Sequence, residues 1–199
     1  IYTLSLHDAL PILACMSINE MPPEDTVYTE QKLYFGQNLG NQYVHSKFIS
    51  ERIVLDAVAL HKLNAKVMRV GNLAPRSTDG EFQINFQTNS AMGRIRVYQM
   101  LGCYPYELTD TPMEFSPINE VAKAIVTLSE TPQQCCLFHP YNNHYVHFGD
   151  VLEELSKVAR GPRQVEAEAF NEAMEVAKQD PEKAKRLSSL IDYQDMAHG

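Results

Sequence analysis

The sequence predicts an α/β chain that forms part of a doubly wound fold, and three observations carry this. Apolar residues at Phe48, Ile49, Ile53, Val54, Ala57, Val58 and Leu60 follow the spacing of a helix with one buried face. Residues 65–70 form a short apolar run ending at Gly71-Asn72, which reads as a buried strand entering a loop. Helix, core strand and glycine-containing loop together make half of a doubly wound unit, where ligands sit at the carboxyl ends of the strands.

Composition sets the bounds. The chain has 199 residues and 44% apolar content, enough for one real core or for part of a larger domain. Lys and Arg number 17 against 25 Asp and Glu, and the net charge of -8 argues against a basic nucleic-acid surface. No apolar run has the length of a membrane span. The cysteines Cys15, Cys103, Cys135 and Cys136 lack zinc spacing, and Cys135-Cys136 falls in an apolar run. They read as reduced core thiols of a cytoplasmic protein.

In chain order, residues 1–12 neither begin with Met nor show the basic start and cleavage site of a signal peptide. They are similar to translated adapter sequence and read as a leader foreign to the fold, although their apolar pattern suits a strand. Leu13-Ala-Cys-Met-Ser17-Ile18 follows as a strand end. Residues 19–41, with Pro22-Pro23 and little periodicity, read as a surface loop packed down by Tyr34 and Phe35, and Asn41 is a cap candidate for the helix that follows.

That helix opens with Tyr43 and Lys47, which share a face at i, i+4. A cation one turn from a phenol favours the phenolate and lowers a pKa whose free value is ~10. Such a tyrosine can donate a proton to a carbonyl oxygen while hydride reaches the carbon. The spacing alone is weak evidence, since Tyr28 and Lys32 share it without chemical context.

Beyond the strand, Asn72-Leu73-Ala74-Pro75 fits either a cofactor contact or a plain turn built on Gly71 and Pro75. Residues 87–101 have helical spacing, with Arg94 and Arg96 available for an anionic partner or for solvent. Residues 111–120 lead from a strand into a helix at Val121, with Asn119 as its N-cap candidate. Residues 135–139 read as another strand. His139, His144 and His147 lack partners at metal-motif spacing and read as loop residues, so no metal is expected. Helices are expected over 148–159, before Gly161-Pro162, and over 165–178 and 181–190, with Pro181 at a first helical position.

Tyr43-Val-His-Ser-Lys47, its helix and then Met68-Arg-Val-Gly-Asn-Leu-Ala-Pro-Arg76 resemble the second half of an extended short-chain dehydrogenase/reductase. The run from Arg69 through Phe82-Gln83-Ile84-Asn85 more narrowly resembles the terminal thioester reductase domains of nonribosomal peptide synthetases and carboxylic acid reductases. The resemblance implies the C-terminal half of a Rossmann-like domain with a mostly helical substrate-side part. Residues 13–80 would form the partial catalytic part, and 81–199 the substrate side with interleaved late strands.

It further implies NAD(P)H-dependent reduction of an acyl thioester held on a carrier protein's phosphopantetheine, releasing an aldehyde or alcohol. Tyr43 and Lys47 would be catalytic, and with Gly71, Asn72 and Leu73 would meet NADPH or, in its place, NADH. Cys15 stands where the family carries a catalytic Thr, which leaves Ser17 as the fallback hydroxyl. The chain would be one module of a larger protein. No G-x-G-x-x-G or G-x-x-G-x-x-G occurs in it, so the segment alone is expected to bind cofactor poorly, to have little activity and, with an exposed sheet edge, to be poorly soluble. Two alternatives stand beside this reading: a reductase or epimerase acting on a nucleotide sugar or small carbonyl, and a non-catalytic α/β binding module.

Overall fold

A computed structural model describes residues 9–10, 29–37, 39–40, 42–84, 89–158 and 161–187. In chain order they form β1 (Ala9–Leu10), α1 (Gln42–Ala59), β2 (Lys66–Met68), β3 (Leu73–Ala74), α2 (Ser90–Leu101) and β4 (Cys103–Pro105). After a 3-10 turn at Tyr106–Leu108 come β5 (Pro112–Glu114), β6 (Ser116–Pro117) and α3 (Ile118–Ser129). The remaining elements are β7 (Leu137–Phe138), β8 (Tyr145–His147), α4 (Phe148–Val158), β9 (Arg163–Val165) and α5 (Ala167–Lys178). Residues 181–187 are again helical.

The chain forms two compact units. Among the described residues, the first holds those up to Glu81 together with Phe115–Asn142, and the second holds Phe82–Glu114 and those from Asn143 onward.

The first unit is an α/β/α layer. Its sheet is parallel, in the order β1-β2-β7, with Val67 opposite Leu137 and Met68 opposite Phe138. β2 is central and buried on both faces. Successive strand residues point to opposite sides, and Val67 and Met68, both 0% exposed, divide accordingly. Val67 packs with Val54 and Val58 of α1, Ala65 and Leu137. Met68 packs with Val70 and with Val121 of α3. A strand covered on both faces lacks a strict apolar/polar alternation, and in residues 65–70 Ala65, Val67, Met68 and Val70 are apolar with Lys66 and Arg69 buried among them. Family resemblance and architecture therefore agree: this is a mixed α/β, Rossmann-like fold.

Lys66 is buried within that run. Its Nζ donates to the carbonyls of Pro132 (2.9 Å) and Cys135 (2.8 Å), which satisfies the ammonium. α1 ends in paired hydrogen bonds, from Lys62 N to Ala57 O (3.0 Å) and from His61 N to Val58 O (2.9 Å). This closure needs a left-handed residue at its turn, and His61 supplies it with φ of 53°.

In the second unit α2 is bounded by chemistry at both ends. Asn89 Oδ1 accepts from Met92 N (3.1 Å), and Gly102 at φ 71° returns its N–H to Tyr98 O. The cap at Asn89 explains why the helix starts at Ser90 rather than at residue 87. Tyr98 lies 5.6 Å from the Phe148 ring and 5.9 Å from that of Phe170, tying α2 to α4 and α5. β4 pairs parallel with β9, and β5 antiparallel with β8.

Four expectations need correction. Residues 163–165 form a strand, so the last long helix starts at Ala167 instead of 165; β9's partner is β4, some sixty residues earlier, and such pairing has no local signal. Asn119 does not cap α3. Pro117 occupies the N-cap, and the Asn119 side chain instead binds Ser77, accepting from Ser77 N (3.0 Å) and donating to its Oγ (3.0 Å). Cys135 is exposed and not a core thiol, because a turn in which Cys135 N donates to Pro132 O delays the strand to Leu137. Arg94 sits over the Phe148 ring at 5.6 Å rather than in solvent. Asn41, Cys15 and Ser17 lie outside the described residues, as do Asn85 and 188–199.

Candidate active site

The start of α1 carries the predicted pair. Gln42 opens the helix, so Tyr43 and Lys47 fall in its first two turns, and Lys47 is half-buried. α1 runs antiparallel to β2. Its later turns hold Val54 and Val58 against Val67, while Glu51 reaches Arg69, the residue just past the strand. The turns before Glu51 therefore lie toward the carboxyl edge of the sheet, which is where a doubly wound fold binds its ligand.

Gly71, Asn72 and Leu73 follow at that same edge. Gly71 N donates to Pro140 O (3.4 Å), which joins the segments leaving β2 and β7. Asn72 O accepts from Ser116 N (2.8 Å), and Leu73 opens β3, paired with β6. Residues 72–75 are therefore held by strand pairing rather than forming a turn, and Asn72 is exposed among them. Next to it, Arg76 bridges Asp79 and Glu81 (2.6 Å), and Asp79's carboxyl sits below its ordinary range because the Glu81 N–H and then Arg76 favour its ionised form.

Glu51, Arg69 and His139, the last expected to be an ordinary loop residue, form a buried polar cluster beside α1. Glu51 is 1% exposed and Arg69 is 7% exposed. Glu51 Oε1 accepts from Arg69 Nε at 2.9 Å and also from Nη2. Arg69 Nη2 donates to Lys32 O (3.0 Å), and Nη1 to His139 Nε2 (2.9 Å). The guanidinium also lies 5.6 Å from the Phe35 ring centroid. Because Arg69 can only donate, His139 must present an unprotonated Nε2. Burial first, and Arg69's charge second, push the His139 pKa down, while Glu30 opposes them. The sequence carried a signal for this cluster. Glu51 continues the Tyr43, Lys47 series by another four residues, and a charged Arg69 directly after a buried run requires a partner.

Among the described residues no group of three His, Cys, Asp or Glu side chains is arranged to hold a metal, and no helix is long and apolar enough to cross a membrane. Lys32, from the second Tyr-x-x-x-Lys, has its ammonium 5.5 Å from the Phe35 ring.

Residues 13–125 match an NAD-binding family described as "Male sterility protein". The chain belongs to this male sterility family. No curated protein is significantly similar to it. Among solved structures, this family member is similar to the thiolation-reductase di-domain of an archaeal non-ribosomal peptide synthetase, at 35% identity and a TM-score of 0.72 over 92% of this chain. It is also similar to the reductase domain of the aureusimine biosynthetic cluster, at 29% identity and a TM-score of 0.66 over 86% of this chain. The terminal reductase domain of the myxalamid pathway shares the fold at 18% identity. The male sterility family chain spans 38% and 45% of the first two structures' lengths.

Lys47, half-buried in the second turn of α1, and Asn72, exposed after β2, both belong to segments at the carboxyl edge of the sheet. For the pyrophosphate, the sequence has no glycine fingerprint.

Proposed function

We propose that this segment supplies the proton-donating side of an NADPH-dependent reductase that releases a carrier-bound acyl thioester as an aldehyde. The observation that supports it most is the 35% identity to the peptide synthetase reductase across nearly the whole segment. The placement of Tyr43 and Lys47 at the carboxyl edge of the sheet is consistent with it.

When bound, the nicotinamide supplies hydride to the thioester carbonyl carbon. Tyr43 gives its phenolic proton to the carbonyl oxygen as charge develops there. Lys47, one turn away, favours the resulting phenolate and holds the ribose hydroxyls. Gly71, Asn72 and Leu73 would hold the nicotinamide when it is bound. The Tyr43 phenolate then takes back the adduct's hydroxyl proton as its C–S bond breaks, the pantetheine thiolate leaves to be protonated from water, and the aldehyde remains. Ser17 offers the second hydrogen bond to the carbonyl oxygen, since the thiol of Cys15 is a weak donor. The free thiols Cys103, Cys135 and Cys136 suit a cytoplasmic site.

The test is a reductase domain of the relatives' full length carrying this segment, supplied with NADPH or NADH, an acyl-pantetheine thioester and, separately, nucleotide sugars. Nicotinamide oxidation with trapping of an aldehyde from the thioester is expected. With Tyr43→Phe the rate falls about 10²-fold or more with folding unchanged. Turnover of nucleotide sugars in place of the thioester, or full turnover by Tyr43→Phe, rejects the reading.

A further inference from the structure

We propose that Glu51, Arg69 and His139 form a buried positioning clamp that sets the rotation and depth of α1, and with them the placement of Tyr43 and Lys47 against the nicotinamide. The inference rests on the cofactor part of the preceding reading.

The guanidinium of Arg69 gathers four separate pieces of chain. They are α1 through Glu51, the exit of β2 through Arg69 itself, the exit of β7 through His139, and the loop at 29–37 through Lys32 O and the Phe35 ring. Arg69 N also donates to Phe138 O (2.8 Å), so its backbone is held by β7 as well. Such a fork is planar and rigid, and fixes direction as well as distance.

Stability does not account for this choice. A buried ion pair replaced by well-packed apolar groups of similar volume is often no less stable. What apolar packing cannot do is specify rotation about the helix axis to a single setting. Glu51 lies one turn beyond Lys47 and two beyond Tyr43, and each step of four residues rotates about 40° around the helix. A fixed Glu51 therefore fixes the angular position of the two residues that precede it. Misplacing a reacting group by about 1 Å can change a rate on the order of 10²-fold. Glu51, Arg69 and His139 are thus positioning residues and touch no substrate.

The test uses the same full-length reductase domain. Glu51→Gln keeps the shape and an accepting oxygen but removes the charge that anchors the fork. The expected result is a folded protein whose NADPH dissociation constant, from fluorescence titration, rises about tenfold to a hundredfold. Its kcat falls by a similar factor while the thioester KM is unchanged. His139→Gln, whose amide oxygen replaces Nε2 as acceptor, is expected to keep the parental constants, and His139→Leu to behave like Glu51→Gln. These two carry the comparison if Glu51→Gln does not fold. Parental NADPH affinity and kcat in folded Glu51→Gln, with only a lower melting temperature, overturn the proposal, as do equal constants for the two His139 variants. A parent that binds NADPH but leaves thioesters unreduced rejects the reaction, while the NADPH constants still decide the clamp. A parent that binds no NADPH overturns both.

Discussion

Glu51 and Arg69 form an ion pair almost fully shielded from solvent, joining the middle of α1 to the first residue beyond the central strand β2. Removing one partner leaves the other charged and buried. Glu51→Leu or Arg69→Met alone should lower stability by about 3–5 kcal/mol. The double replacement Glu51→Leu with Arg69→Met should recover most of that loss. Chemical denaturation of the two single variants and the double gives the coupling, and additive losses would show that the pair is not coupled.

His139 gives the stability of the first unit an acid limb. Its folded pKa is pushed below the ordinary value of 6.5, by burial and then by Arg69, with Glu30 opposing. As pH falls through that value the unfolded chain takes up a proton that the folded chain resists. The unfolded state then binds more protons, so stability drops with falling pH. The drop should begin near the ordinary histidine pKa and level off below the lowered folded one. Thermal melts across this range should show it in the parent, and His139→Gln should flatten it; an unchanged limb would assign it to another group.

His61 holds a left-handed conformation at the end of α1, with φ of 53°, and is exposed. A side chain there costs roughly 1–2 kcal/mol relative to glycine. Part of that is offset because glycine adds freedom to the unfolded chain. His61→Gly should therefore raise stability by up to about 1 kcal/mol, or a few degrees of melting temperature. A lowered melting temperature would mean the His61 side chain makes a stabilising contact that outweighs its backbone strain.

Gly149, in the first turn of α4, sits directly against Thr109 and donates its N–H to Thr109 O at 3.1 Å. An added Cβ would lie 2.9 Å from both Thr109 Cγ2 and its carbonyl oxygen. Alanine is the better helix former by about 1 kcal/mol, but the overlap involves backbone, and overpacking costs typically ~1–3 kcal/mol. Gly149→Ala should thus be neutral to destabilising, and a stabilised variant would reject the close approach.

The sequence alone determined the parts whose signals are local. The helical spacing from Phe48 to Val58 gave α1, and the apolar run at 65–70 gave a strand buried on both faces. Both follow from periodicity, which depends only on neighbours a few residues apart. The i, i+4 spacing of Tyr43 and Lys47 on α1 was legible for the same reason, whereas Leu73 belongs to a strand, β3, that its distant partner β6 defines. The tertiary structure alone decided what depends on residues far apart in the chain. β9 exists because β4 lies beside it, and Asn119 binds Ser77 instead of capping its own helix. Glu51, Arg69 and His139 meet only when α1 has packed on β2 and β7 has paired alongside. A side chain's partners are set by packing and by the need to satisfy every buried charge, and that need is met by whatever the fold brings within reach.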